Sequence, residues 1–176
     1  MQREIAALFR RLTSGVYVVG VAQGDRRNAF TAAWVTQVSF QPPLLALAIH
    51  PEHASYGLLV ESGAFAVSVL ERGRLDLARA FGTRSGRDAD KLAGILWRAA
   101  GSGAPVLEES VVFFDCRVVS RHPAGDHELV IGRVVDGAVL RPDAALMTYA
   151  ETGDLDGSEE LYPDTMGGWT DGRMGG

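Results

Sequence analysis

The chemically versatile side chains of this sequence stand mostly in short polar segments. Gly125-Asp126-His127 is a glycine–aspartate turn followed at once by an imidazole, which such a turn presents at the rim of a sheet. A histidine there can orient a bound ring or hydrogen-bond to it near neutral pH. His50 and His53 have a metal-like spacing, but the only nearby acid is Glu52, and no second group of Cys, Asp or Glu accompanies them. Ser55 suits a helix start, where a hydroxyl and open amides can either cap the helix or hold an anion. Ser85-Gly86-Arg87-Asp88-Ala89-Asp90-Lys91 reads either as a polar turn offering amides and two cations to an anion or as a solvated turn with local ion pairs.

Other chemistries lack their residues. No G-x-G-x-x-G follows a strand, no G-x-x-x-x-G-K-[ST] occurs, and no G-x-S-x-G elbow is present. A Rossmann site, a P-loop and a hydrolase nucleophile therefore have no support. The single cysteine, Cys116, cannot form an intrachain disulfide. It faces the apolar side of an alternating run, which makes it a core residue rather than a redox centre.

The elements that must position these groups are mainly strands. Ile5, Leu8, Phe9 and Leu12 fall on one helical stripe, ended by Thr13-Ser14-Gly15 with glycine as a left-handed cap. Residues 16–22 are β-branched and strand-like, 23–27 a polar turn, and 30–40 a strand or a strand with an irregular middle. Pro42-Pro43 breaks the pattern before a short buried strand at 44–49. A helix is expected over 56–61, a strand over 65–70, a helix over 75–81 and a shorter one over 88–94. Residues 111–120 and 127–135 read as an antiparallel hairpin around a turn at 122–126. This spacing predicts a mainly β fold with flanking helices, a closed or partly closed antiparallel barrel.

Composition narrows the function classes. Hydrophobic residues make up 47% and charged residues 22%, a globular balance with no basic excess to attract nucleic acid. The longest apolar runs, such as 42–49, fall well short of the roughly 20 residues of a membrane helix. The first residues lack a signal-peptide pattern, so a cytoplasmic protein is expected. The net charge of −5 comes from residues 151–176, which hold seven acids and one base. The expected organisation is one domain over 1–150 and an acidic, glycine-rich tail over 151–176. That tail is either a solvated extension or a strap over a partner subunit or a site, anchored by Leu161, Tyr162, Met166 and Trp169.

Asn28 to Pro43 reads N-A-F-T-A-A-W-V-T-Q-V-S-F-Q-P-P. Four segments follow it in order, His50–Tyr56 (HPEHASY), Glu61–Leu70 (ESGAFAVSVL), Phe81–Lys91 (FGTRSGRDADK), and Gly125-Asp126-His127 with Ile131-Gly132-Arg133-Val134. Together, over roughly residues 5–140, they resemble the flavin reductase-like, FMN-binding split-barrel family, especially its flavoredoxin-like branch. The resemblance implies a Greek-key split barrel working as a homodimer, with FMN (or FAD) near the subunit interface. It further implies NADH or NADPH as hydride donor, with a monooxygenase, a redox protein or a small molecule as electron acceptor.

It also implies site roles. Thr31, Ala32, Ala33, Trp34, Val35 and Thr36 would lie along the isoalloxazine, small alanines letting backbone approach the ring and pair with its pyrimidine edge. Read without the resemblance, the same segment is an ordinary barrel strand with Trp34 in the core. His53, Ser55 and Tyr56, with the hydroxyls of Thr36 and Ser39, are candidates around the phosphate, where histidine replaces the basic residue common in the family. Ser85, Arg87 and Lys91 are candidates for cofactor or nicotinamide phosphates. His127 would face the nicotinamide side of the flavin, orienting the donor during hydride transfer. Two rival functions share these residues: an FMN-binding electron-transfer or storage protein without turnover, and a barrel that has lost its cofactor.

Overall fold

The computed structural model describes residues 2–83, 85, 90–153 and 155–163, with side chains from Glu4 onward. Within this range the apolar alternation becomes one seven-stranded antiparallel sheet. Its strands are β1 (Tyr17–Gln23), β2 (Arg26–Ala32), β3 (Val35–Ser39), β4 (Leu44–Ile49), β5 (Ala64–Val69), β8 (Val112–Ala124) and β9 (His127–Val139). A separate two-stranded ribbon joins β6 (Trp97–Ala99) to β7 (Pro105–Leu107), a pair the sequence pattern does not announce. Three helices flank the strands: α1 (Gln2–Phe9), α2 (Tyr56–Ser62) and α3 (Leu75–Gly82).

The order across the sheet is β2-β1-β5-β8-β9-β4-β3, so the expected barrel is not closed by hydrogen bonds. Yet β2 and β3, its two edges, are consecutive in the chain and separated only by Ala33 and Trp34. Six strand spacings laid flat would put those edges roughly 29 Å apart. Two intervening residues reach only about 11 Å from Cα to Cα. The sheet must therefore curl until the end of β2 and the start of β3 meet at a seam made by Ala33-Trp34, the rest of the two edges staying unpaired. The inner face of that curl is the main core, where Val19, Phe30, Leu47, Phe65, Cys116 and Val130 pack from six different strands. A second core lies under α3 and α1's following loop, with Val16, Leu70, Phe81 and Met147.

Turn chemistry sets the registers. Glycines with positive φ begin the two-residue loops at Gly24-Asp25 and Gly125-Asp126 (φ 59° and 68°), a position that other residues rarely tolerate. The second loop puts His127 at the first position of β9, paired with Ala124. Gly63 closes α2 in the left-handed region and its N–H donates to the Leu59 carbonyl.

Four local expectations change. Of the α1 stripe, only Ile5 is buried, while Leu8, Phe9 and Leu12 are more than half exposed. Gly15 is not a left-handed cap; its lack of a side chain makes room for the Tyr17 hydroxyl, 2.5 Å from where a Cβ would stand. Ser55 occupies the N-cap of α2, but its side chain makes no capping bond and instead accepts one from the Asn28 amide at 2.9 Å. Residues 91–94, given above to a short helix, form turns; 88 and 89 lie outside the described residues.

Candidate functional site

The seam opens into a cavity of about 520 Å³. Its wall on the sheet side follows from the break between β2 and β3. The peptide groups of Ala33 belong to neither ladder, because pairing stops at Ala32 and resumes at Val35. Trp34 returns the chain toward β4, its carbonyl accepting from the Ala48 N–H at 3.1 Å. The Thr31 hydroxyl donates to the Ala78 carbonyl at 2.8 Å, which fastens α3 to the same wall. Ala32, Ala33, Ala48, Ala78 and Gly82 line the space with small groups, and Phe30 and Trp34 supply aromatic surface.

Three histidines converge at this wall. His127 lies 4.8 Å from the Trp34 ring by centroid, and His50 meets it edge-on at 5.4 Å. Asp126 Oδ1 stands 2.8 Å from His127 Nδ1. The hydrogen bond to His127 holds the Asp126 carboxyl below the usual carboxylate range, so the ionised oxygen accepts and Nδ1 carries the proton. The tautomer so fixed leaves Nε2 as the second functional nitrogen. The His53 ring lies 4.5 Å from the Phe30 ring by centroid, tilted 47° to it, and its Nδ1 accepts from the Ser55 N–H at 3.1 Å.

The sequence candidates divide in space. Thr31, Ala32, Ala33, Trp34, His53 and His127 share the cavity. Val35 packs into the main core, while Thr36 is exposed and Ser39 half-buried along β3. Ser55 is wholly buried with Asn28, away from the cavity lining. Tyr56 donates to Glu128 and accepts from Arg121 at 3.1 Å, joining α2 to the β8–β9 hairpin. Lys91 is buried, and its Nζ donates to the Phe81 carbonyl at 2.9 Å near the end of α3, where a cation offsets the helix dipole. Ser85 is exposed, and Arg87 lies outside the described residues.

On the opposite wall, Phe9, Arg10 and Leu12 of the first helical segment line the cavity with Tyr149, Asp156 and Tyr162 from the chain's last described stretch. The strap alternative for the tail set Leu161 and Tyr162 over a site, and both line the cavity; the part played by the first helical segment was not read from the sequence. Met166 and Trp169 lie outside the described residues. Cys116, on β8, is fully buried and belongs to the core.

The flavin proposed from the sequence can be tested against this lining. A flat tricyclic ring needs small side chains, aromatic surface and uncommitted peptide groups, and the seam supplies all three. The volume falls within the range of about 300–1,000 Å³ common for small-ligand sites. The residues fit the group.

Comparison with known proteins gives the same direction. The family model for the flavin reductase like domain matches residues 9–154. FMN reductase (NADH) RutF 1 of Methylorubrum extorquens is 35% identical over 150 residues, covering 83% of this chain and 74% of that protein. Diflavin flavoprotein A 1 of Synechocystis is 31% identical over 134 residues, covering 76% of this chain but 23% of that longer protein. Among solved structures, the NADH:FAD oxidoreductase SgcE6 of Streptomyces globisporus superimposes with a TM-score of 0.77 at 28% identity, covering 82% of this chain and 86% of that one. BorF, the flavin reductase component of a bacterial two-component tryptophan halogenase, gives 0.74 at 31% identity, with 82% and 91% covered. With its seam cavity, its rim histidine and a family match over most of its length, the chain belongs to the flavin reductase-like domain family.

Proposed function

We propose that this chain is a flavin reductase that holds FMN, or alternatively FAD, in the seam cavity and takes hydride from NADH or NADPH. The observation that carries this reading is the convergence of Ala32, Ala33, Trp34 and His127 on one ligand-sized cavity. The flavin, when bound, supplies the capacity to accept a hydride and pass electrons on to a second flavin, a protein or a small molecule. Ala32, Ala33 and Trp34 would hold the ring system, and His53 would serve its phosphate. His127, with its tautomer fixed by Asp126, would orient the donor ring, and His50 would back it edge-on. Hydride transfer calls for no protein nucleophile, in keeping with a site built from alanines, aromatics and imidazoles.

The split-barrel homodimer belongs to the same proposal. β3 is a sheet edge, and it and its flanking residues expose Trp34, Val38 and Phe40 at 55%, 50% and 88%. An unpaired edge with contiguous apolar side chains favours a second copy as its cover. An acceptor such as a monooxygenase is supported by analogy with BorF, named as a component of a two-component halogenase.

One observation favours the second reading, a flavin-binding electron-transfer or storage protein. Tyr149, Thr152, Leu155, Asp156, Ser158, Leu161 and Tyr162 line the cavity, where they would narrow a donor's access. A His127→Ala variant separates the readings. The reductase reading predicts that FMN binding persists while NAD(P)H oxidation falls by up to about a hundredfold, the scale of a lost orienting group. Equal turnover in both proteins would remove His127 from the mechanism, and no turnover in either would favour storage.

A further inference from the structure

The stretch that begins at Thr148 leads into the acidic segment 151–176, left open above as either extension or strap, of which residues 151–153 and 155–163 are described. Its first residues are tied down: Gly15 and Thr148 form a β-bridge, and the Tyr149 N–H donates to the Ser14 carbonyl at 2.7 Å. Thr148 and Glu151 cap a 3₁₀ turn over Tyr149–Thr152 reciprocally, the Glu151 carboxylate accepting from the Thr148 N–H at 2.6 Å. Two glycines then turn the chain, Gly153 at φ 60°, ψ −125° and Gly157 at φ 62°, ψ 18°, both glycine-favouring conformations. A second 3₁₀ turn, Ser158–Leu161, follows against α1.

This path leads over the cavity and closes on α1. The Phe9 and Tyr162 rings stack with centroids 5.4 Å apart and planes 18° from parallel. Arg10 pairs with Glu159 at 2.8 Å. Tyr149 donates its hydroxyl to Asp156 at 2.7 Å and lies 3.1 Å from the Ser158 hydroxyl, fixing the bend between the two turns. Every residue named in these four contacts except Glu159 lines the cavity. Phe9 nevertheless stays 53% exposed and Leu161 83% exposed, so little apolar surface holds the closure shut. Segments with few buried contacts open at the low end of a protein's free-energy range.

We infer that residues 148–153 and 155–162 form a retention strap, latched to the end of α1 by the Phe9–Tyr162 stack and the Arg10–Glu159 pair, that sets how fast a flavin leaves the seam cavity. The inference rests on the flavin reading above and adds that the bound flavin exchanges through opening of this latch. Tight closure makes the flavin a resident group; a loosened latch makes it a diffusing product. The apolar stripe of α1, exposed in part because it does not enter the core, is thereby given a partner in the strap.

The test is the rate at which FMN leaves the loaded protein, read as recovery of free-flavin fluorescence after dilution into excess riboflavin-free buffer. Wild type, Phe9→Ala, Tyr162→Ala and the double variant are compared, with circular dichroism showing that each is folded. Either single variant is expected to release FMN about three- to tenfold faster, the scale of one aromatic pair. The double variant is expected to be no faster than the faster single, because both remove the same contact. Folded variants with the wild-type release rate would overturn the strap. Tyr149→Phe gives an independent check away from the stack, and unchanged release there as well as at Phe9 would settle against it. Wild-type protein that fails to quench FMN fluorescence at all would instead overturn the flavin reading.

Discussion

At the scale of single residues, the site rests on how neighbours fix an imidazole and shelter a thiol. Asp126 is 81% exposed at its side chain, so its pairing with His127 contributes direction more than stability. Its depressed pKa means the contact is held above the ordinary carboxylate range and lost as pH falls through the lowered value; flavin-linked turnover should fade on that acid side first. Cys116 is the opposite case. Burial, with some help from Asp115, pushes its thiol up to about 12, leaving roughly one part in ten thousand as thiolate at pH 8. The folded protein should therefore resist a thiol reagent such as DTNB for hours and react at once in denaturant. Rapid labelling of the native protein would contradict the core assignment. The Gly-Asp-His turn was legible because its chemistry is local, a glycine conformation and an adjacent pair. Ser55 and Lys91 read as anion ligands because sequence shows their types but not their partners, Asn28 and the Phe81 carbonyl.

At the scale of elements, strand alternation carried most of the fold. The 44–49 strand appears with its predicted bounds, and the long hairpin extends to Ala124 and Val139, beyond its apolar runs. Those extensions are exposed and mix polar with apolar residues in no alternating pattern, so periodicity had nothing to mark; backbone pairing alone prolongs them. α1 went the other way, since a helical stripe announces an apolar face without saying what covers it. The β6–β7 ribbon was missed for a third reason: its short strands pack by position, with Val106 and Leu107 buried against the sheet. That packing yields a sharp prediction. A Cβ at Gly20 would lie 2.0 Å from the Pro105 carbonyl oxygen, backbone with no side chain to yield. Gly20→Ala should lower stability by about 1–3 kcal/mol or more, read as a reduced urea midpoint. An unchanged midpoint would mean that β1 and β7 do not approach as described.

At the scale of the whole molecule, a curled sheet with unpaired edges places the break between β2 and β3 and the cavity at the same seam. The curl itself was expected from strand spacing, as a closed or partly closed barrel, and the irregular middle expected within 30–40 marked where the ladders break; the strand order, which leaves the sheet unclosed by hydrogen bonds, was not legible. The exposed β3 edge makes a further prediction. Sedimentation should give a mass of two chains for the wild type and of one for Phe40→Asp, whose charge would face the partner. A monomeric wild type would contradict the dimer. The account's central claim is that the seam holds a flavin reducible by a nicotinamide donor. Its most direct test is the anaerobic visible spectrum of the FMN-loaded protein, recorded before and after NADH and then NADPH. Bleaching of the flavin band by either donor is the predicted result, and the faster donor names the preferred one. A flavin band that neither donor moves, but dithionite bleaches, would contradict the reductase and leave a flavin carrier in its place.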